Sequence, residues 1–232
     1  MDGNKPVANS NPKHGWLNCR FLLGALVAVL VSFPFLEDVA SPLVLVIPLA
    51  GVFVAGVVVA GSGPRHVRRA ILIAGIQVGL TAVSLVLRRG NYSSFIAVPL
   101  ALVATATLIL YSTHRVLRYV LRARIITRDQ IYAGICMYVM LGFAFGAIYY
   151  LVNILDPRSF VVNNELPAGD ATPDLMYFSF VTLATLGYGD ITPRSHVARS
   201  LATVEALVGM LYIAVFMARL VSMRSSDADT RT

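Results

Sequence analysis

The chain has 232 residues, of which 57% are hydrophobic and only 13% charged, with a mean hydropathy of +0.72 and a net charge of +7. A soluble domain carries about a quarter charged residues, so this composition excludes an ordinary water-soluble fold and points to a membrane protein. Its two cysteines, Cys19 and Cys136, sit beside or inside apolar runs, which excludes a disulfide framework or a cysteine-based metal site.

Residues 1–16 are polar and read as a disordered segment. Apolar runs follow at Leu17–Leu36, Leu43–Gly61, Ala70–Leu87 and Phe95–Ser112, then at Ile131–Leu151 and Val197–Ser222. Each is long enough for a helix to cross a hydrocarbon core of about 30 Å. Helices are expected because lipid offers the backbone no hydrogen-bond partners. The first run follows a basic lead, as a signal peptide would. It exceeds the usual apolar length and lacks an Ala-x-Ala site, so it reads as a span. The predicted fold is all-α: six transmembrane helices, with a re-entrant pore helix and filter between the fifth and sixth.

The connectors orient this bundle. Lys5, Lys13, Arg20, Arg65, Arg68, Arg69, Arg115, Arg118, Arg122, Arg124, Arg128, Arg219, Arg224 and Arg231 fall on one side and make up most of the 19 basic residues. Positive charge collects in the cytoplasm, so both termini are expected there. The net charge thus reflects topology and gives no reason to expect a nucleic-acid partner. The expected organisation is a cytoplasmic segment (1–16), a four-helix membrane domain (17–113), a basic cytoplasmic connector (114–130), a pore domain (131–222) and a cytoplasmic tail (223–232).

Between the fifth and sixth runs lies a stretch too long for a turn and too short to cross a membrane. From Asp170 to Thr185 it reads as a short helix, with Thr172 as cap, Pro173 in the first position and Asp174 favouring the positive N-terminal end. Pro173–Leu183 would span about 16 Å, half a bilayer. Thr185-Leu186-Gly187-Tyr188-Gly189-Asp190 follows. Two glycines flanking one residue permit backbone conformations closed to other residues, and these can turn successive carbonyls toward one axis. Irregular backbone at membrane depth is tolerated only where it lines a cavity or is buried in protein.

These six residues resemble the potassium-channel signature Thr-Val-Gly-Tyr-Gly-Asp, and Tyr177–Pro193 is similar to the pore loops of that family. The resemblance covers roughly the last hundred residues. It implies a potassium-selective channel that conducts K+ passively through a homotetramer, since one chain supplies one filter strand of four. Thr185, Leu186, Gly187 and Tyr188 would bind K+ through carbonyls, with the Thr185 hydroxyl at the inner end. Gly189 would permit the outer turn and Asp190 would sit at the outer mouth. Tyr188 would point away from the ion toward pore-helix aromatics such as Tyr177 and Phe178. Leu186 stands where Val is usual. Val181 stands where some members carry Glu, so no carboxyl pairs with Asp190. No cofactor and no catalysis are implied. The bilayer is the surrounding partner and a bacterial inner membrane the implied location.

Two residues of the sixth run are gating candidates. Gly209 near its middle is a possible hinge or a packing residue. Glu205, one turn earlier, is a carboxyl at membrane depth, where charge is expensive. It faces the cavity, bonds behind the filter, or is a protonated or locally satisfied structural residue. Gly75-x-x-x-Gly79 and Gly142-x-x-x-Gly146 match the small-residue helix-packing pattern. Arg115, Arg118 and Arg122 form a helical stripe that reads as a connector held at anionic headgroups. The alternatives are a weakly selective cation channel and a voltage-gated channel using that stripe. A transporter would show paired interrupted helices, and this chain shows one interruption. The stimulus stays open among lipid, tension, pH and a separate regulatory subunit.

Overall fold

The computed structural model describes residues 19–32, 43–89, 97–122, 128–163, 165 and 172–229. Among the described residues seven helices follow the six apolar runs and the half-length stretch between the last two: α1 (Cys19–Ser32), α2 (Leu43–Val59), α3 (Pro64–Arg89), α4 (Ala97–Arg122), α5 (Arg128–Leu155), α6 (Thr172–Leu183) and α7 (His196–Asp229). Two three-residue strands, β1 (Phe160–Val162) and β2 (Ile191–Pro193), pair antiparallel with Phe160 opposite Pro193 and Val162 opposite Ile191. The protein is a mostly helical, multi-pass membrane protein.

Four helices, α3, α4, α5 and α7, are long and apolar enough to cross a membrane. α1 and α2, with 14 and 17 residues, reach only about 21 and 26 Å. Over their described residues the first two expected spans therefore fall short of a full crossing. The outer end of the first, from Phe33 to Leu36, lies outside the described residues, as do the termini, Glu37, Asp38 and Asp170.

The boundary expected after Ser112 is not a break. α4 continues to Arg122 as one helix, so Arg115 and Arg118 ride on the last turns of the fourth span. No residue between 112 and 122 interrupts the helix: the run contains neither glycine nor proline, and its Leu, Arg and Tyr residues are compatible with helix. α5 begins at Arg128, three residues before the expected apolar run at Ile131.

α5 is the central post. Its Met137, Met140, Phe143 and Ala144 are buried with Leu22 and Leu26 of α1, Phe53 and Val57 of α2, and Leu108 and Val116 of α4. Each helix thus buries one apolar face against a neighbour. The opposite faces, such as Ile71, Ile76 and Val83 on α3, stay exposed, as lipid allows. Polar contacts fix the helix ends that meet near Cys19 and Leu121. Asp129 Oδ1 accepts from the backbone N–H of Cys19 at 3.0 Å, satisfying a first-turn donor of α1. The Arg219 guanidinium of α7 donates to the Leu121 carbonyl at 2.7 Å, satisfying a last-turn acceptor of α4. Cys19 and Cys136 are both buried free thiols.

A second core lies at the other end of α5. Tyr149, Phe160, Leu175, Phe178, Ile191 and Ala198 bury one another, joining α5, β1, α6, β2 and α7 into a single platform for the loop after α6.

Candidate functional site: a pore loop

α6 has 12 residues and begins at Thr172, where the cap was expected. At about 18 Å it is half as long as a spanning helix. Small residues on α5 let it lie close. A Cβ added to Gly142 would meet the Phe180 ring at 2.5 Å, and one on Gly146 would meet the Met176 sulfur at 2.6 Å. The second of the two small-residue patterns is therefore the seat of the pore helix. The first meets no described residue, since at Gly75 and Gly79 none lies within 4 Å of an added Cβ.

The backbone after α6 is organised around its carbonyls. The N–H groups of Ala184, Thr185 and Leu186 turn back to the carbonyls of Phe180, Thr182 and Val181 at 3.0, 2.9 and 2.9 Å. Positive φ angles then alternate along the strand: Thr185 at 58°, Gly187 at 57° and Gly189 at 83°, with Leu186 and Tyr188 outside that region. Alternating hand rotates successive peptide planes, so that their carbonyls can face one side. No described residue donates to the carbonyls of Thr185, Leu186, Gly187 or Tyr188. The two glycines take this backbone without strain. Thr185 is β-branched and is an outlier there, a strain that persists only where the surroundings impose it. The glycine spacing foretold the first two; Thr185 was missed as a backbone outlier, although its place in the alternation signals it.

The outer end is tied down. The Asp190 carbonyl accepts from the Asn163 N–H at 2.8 Å, and β1 and β2 continue the pairing. Asp190 Oδ1 accepts from the Ile191 N–H at 3.0 Å, and Oδ2 from the Tyr177 hydroxyl at 2.8 Å. With valine at position 181, a pore-helix tyrosine takes the place of a carboxyl partner.

Tyr188 lies within electrostatic reach of Tyr177, one of the pore-helix aromatics expected beside it. Tyr188 is 67% exposed and Leu186 57%. Phe178 faces the other way, with ring centroids 5.1 Å from Tyr149 and 5.6 Å from Phe160.

Glu205 is wholly buried behind α6. Its Oε2 lies 2.5 Å from the Tyr149 hydroxyl of α5, and its Oε1 lies 2.5 Å from the Ser179 hydroxyl of α6. Ser179 also reaches the Gly142 carbonyl at 2.8 Å. A serine has one hydroxyl proton, and two acceptors lie within reach. The accounting closes without a buried charge when Glu205 is a carboxylic acid. It then donates to Ser179, Ser179 donates to Gly142, and Tyr149 donates to Glu205. The carboxyl thus joins three helices behind α6 and reaches no surface of the chain. Tyr149 and Ser179 were not singled out by sequence. A lone serine on an apolar half-helix was a usable signal; Tyr149 carried none.

Gly209 is also a contact point. A Cβ there would sit 2.4 Å from the Leu183 carbonyl at the end of α6. The Tyr138 hydroxyl donates to that carbonyl at 2.9 Å. One turn further along α7, Tyr212 donates to the Gly134 carbonyl at 2.6 Å. With the Glu205–Tyr149 contact before it and the Tyr212–Gly134 contact after it, α7 is pinned to α5 on both sides of Gly209.

Residues 134–225 match the profile of a family described as Ion channel. The chain is 34% identical over 93 residues to two-pore potassium channel 3 of Arabidopsis thaliana, covering 40% of this chain and 19% of that one. It is 47% identical over 55 residues to the inward rectifier potassium channel Kirbac3.1 of Paramagnetospirillum magnetotacticum, covering 24% and 18%. It is 31% identical over 96 residues to protein LctB of Bacillus caldotenax, covering 40% of this chain and 71% of that protein. The chain belongs to this ion channel family. It spans about a fifth of the length of the potassium channels it matches. No solved structure matches it.

Proposed function

We propose that this chain is the subunit of a potassium-selective channel in which four copies place their Thr185–Gly189 strands around one axis. The observation that carries this reading is the alternation of hand at Thr185, Gly187 and Gly189, at the end of a half-length helix, beside carbonyls that accept no hydrogen bond within the described residues. Such carbonyls can replace the hydration shell of a cation. A single strand surrounds nothing, and its polar backbone would be unpaired in lipid. The exposure of Leu186 and Tyr188 in one chain fits surfaces covered by neighbouring copies. K+ would sit at the carbonyls of Thr185, Leu186, Gly187 and Tyr188, with Asp190 at the outer mouth. α6 would point its negative C-terminal end at the permeating ion. No cofactor takes part.

In this reading α1 and α2 join the four longer helices as membrane helices. α6 re-enters from the outside, and both termini face the cytoplasm of a cell bounded by the plasma membrane. Voltage dependence is weak. α4 carries no charge before its last turns, and the sequence of α1–α4 contains no Asp or Glu to pair with a moving arginine.

The test is the reversal potential of the purified protein in planar bilayers with potassium on one side and sodium on the other. The expected result is a reversal close to the potassium equilibrium potential. A reversal near zero would replace this proposal with the weakly selective cation channel.

A further inference from the structure

The start of α3 and the end of α4 meet at one corner. The Tyr111 hydroxyl lies 2.9 Å from His66 Nδ1 and reaches the His66 carbonyl at 3.4 Å. Arg115 Nε donates to the Ser62 hydroxyl at 3.0 Å, across the α2–α3 turn. These contacts fix the last turns of α4 over the first turn of α3. Arg69, Arg115 and Arg118 all lie within electrostatic reach of the His66 ring, and Arg65 and Arg68 share that first turn.

Nothing in the sequence of α1–α4 offsets this charge. The first turn of α3 has no acidic residue, and none occurs anywhere in the four helices. The α3 macrodipole adds to the problem, because its positive end lies at the same corner. Basic side chains belong at helix C-termini, so Arg115 and Arg118 are well placed on α4, whereas Arg65, Arg68 and Arg69 are not on α3. An arrangement that opposes its own helix calls for an external anion. Arginine also matches phosphate oxygens through two parallel N–H donors.

The location selects the form of that anion. The membrane-competent stretch of α3 begins at Pro64 and that of α4 ends at Leu121, so the corner stands at headgroup level. We propose that it holds the headgroup phosphate of an anionic phospholipid, with Arg69, Arg115 and Arg118 as ligands and Arg65 and Arg68 as outer charges. The inference needs the chain only to be embedded in a bilayer. It stands or falls separately from potassium selectivity.

The experiment is native mass spectrometry of the full chain released from nanodiscs of equal phosphatidylglycerol and phosphatidylcholine, counting retained lipids. Each arginine near a headgroup surface favours anionic lipid by several-fold, so the three ligands together predict a preference of about a hundredfold. That preference should fall toward unity in Arg69→Gln/Arg115→Gln/Arg118→Gln. The exposed single variant Arg118→Gln should lose part of it and Arg118→Lys should keep most, which covers the case of a triple variant that does not fold. Equal retention of the two lipids would overturn the proposal, and so would a preference untouched by any of these substitutions. Displacement of phosphatidylglycerol by millimolar inorganic phosphate would also overturn it, by showing a site for free phosphate.

Discussion

Glu205→Ala should be among the most damaging single changes in the pore domain, and Glu205→Gln one of the mildest. The carboxyl is wholly buried between Tyr149 and Ser179, with both contacts at 2.5 Å. Alanine leaves the Tyr149 hydroxyl without its acceptor and Ser179 without its donor, in a wholly buried site. A buried polar group stranded this way costs about 1–3 kcal/mol. With the void left by the lost side chain, the total is about 3–5 kcal/mol. Glutamine refills the same network: its carbonyl oxygen accepts from Tyr149 and its amide donates to Ser179, which still donates to Gly142. That substitution should cost under about 1 kcal/mol. The assay is thermal unfolding of the assembled protein in mild detergent. At about 2–4 °C per kcal/mol for a chain of this size, alanine should lower the midpoint by about 10 °C and glutamine by no more than a few degrees. If glutamine is as damaging as alanine, Glu205 acts as a charged carboxylate and the donor accounting above is wrong. If both are silent, the three-helix junction is not held by this residue.

Gly187→Ala should abolish potassium flux while leaving assembly intact, because at a φ of 57° a Cβ costs about 1–2 kcal/mol and shifts the carbonyls; planar-bilayer current together with native mass spectrometry checks both halves. Gly209→Ala drives a Cβ toward the Leu183 carbonyl at 2.4 Å and should cost about 1–3 kcal/mol of thermal stability, whereas a pure hinge role would leave stability unchanged and alter only open probability. The conductance–voltage curve in symmetrical potassium should be shallow, and Arg115→Gln, Arg118→Gln and Arg122→Gln should not flatten it further; a steep curve that weakens with each substitution would make this stripe a sensor.

What the sequence disclosed depended on how local each feature is. The half-length α6, its start at Thr172 and the glycine pair of the loop are written in runs of a few residues, and they appear where expected. Helix ends inside apolar chain are less legible. Ser112 read as the end of a span because arginines follow it, yet α4 continues to Arg122. Charge marks where a chain meets headgroups and says nothing about where its hydrogen bonds stop. The junction of Tyr149, Ser179 and Glu205 was only partly legible. Its members come from three helices and are 26 and 56 residues apart from Glu205, so only packing brings them together.

The glycines of the pore domain show the same division. Gly187 and Gly189 are needed for their own backbone angles, a property of the residue itself, and their spacing announces it. Gly142, Gly146 and Gly209 are needed because another group stands where their side chain would be: the Phe180 ring, the Met176 side chain and the Leu183 carbonyl. All three of those obstacles belong to α6. The two kinds of glycine thus serve one end, since the first shape the strand that follows α6 and the second let α5 and α7 close on the helix that carries it. That arrangement gives Gly209 a structural reason of its own at the centre of α7. A bend of α7 at this point would have to pull away from Leu183 and from the Tyr212 contact with Gly134. Opening by such a bend would therefore disturb the end of the pore helix directly, so that movement of the inner helix and the state of the filter could not be independent.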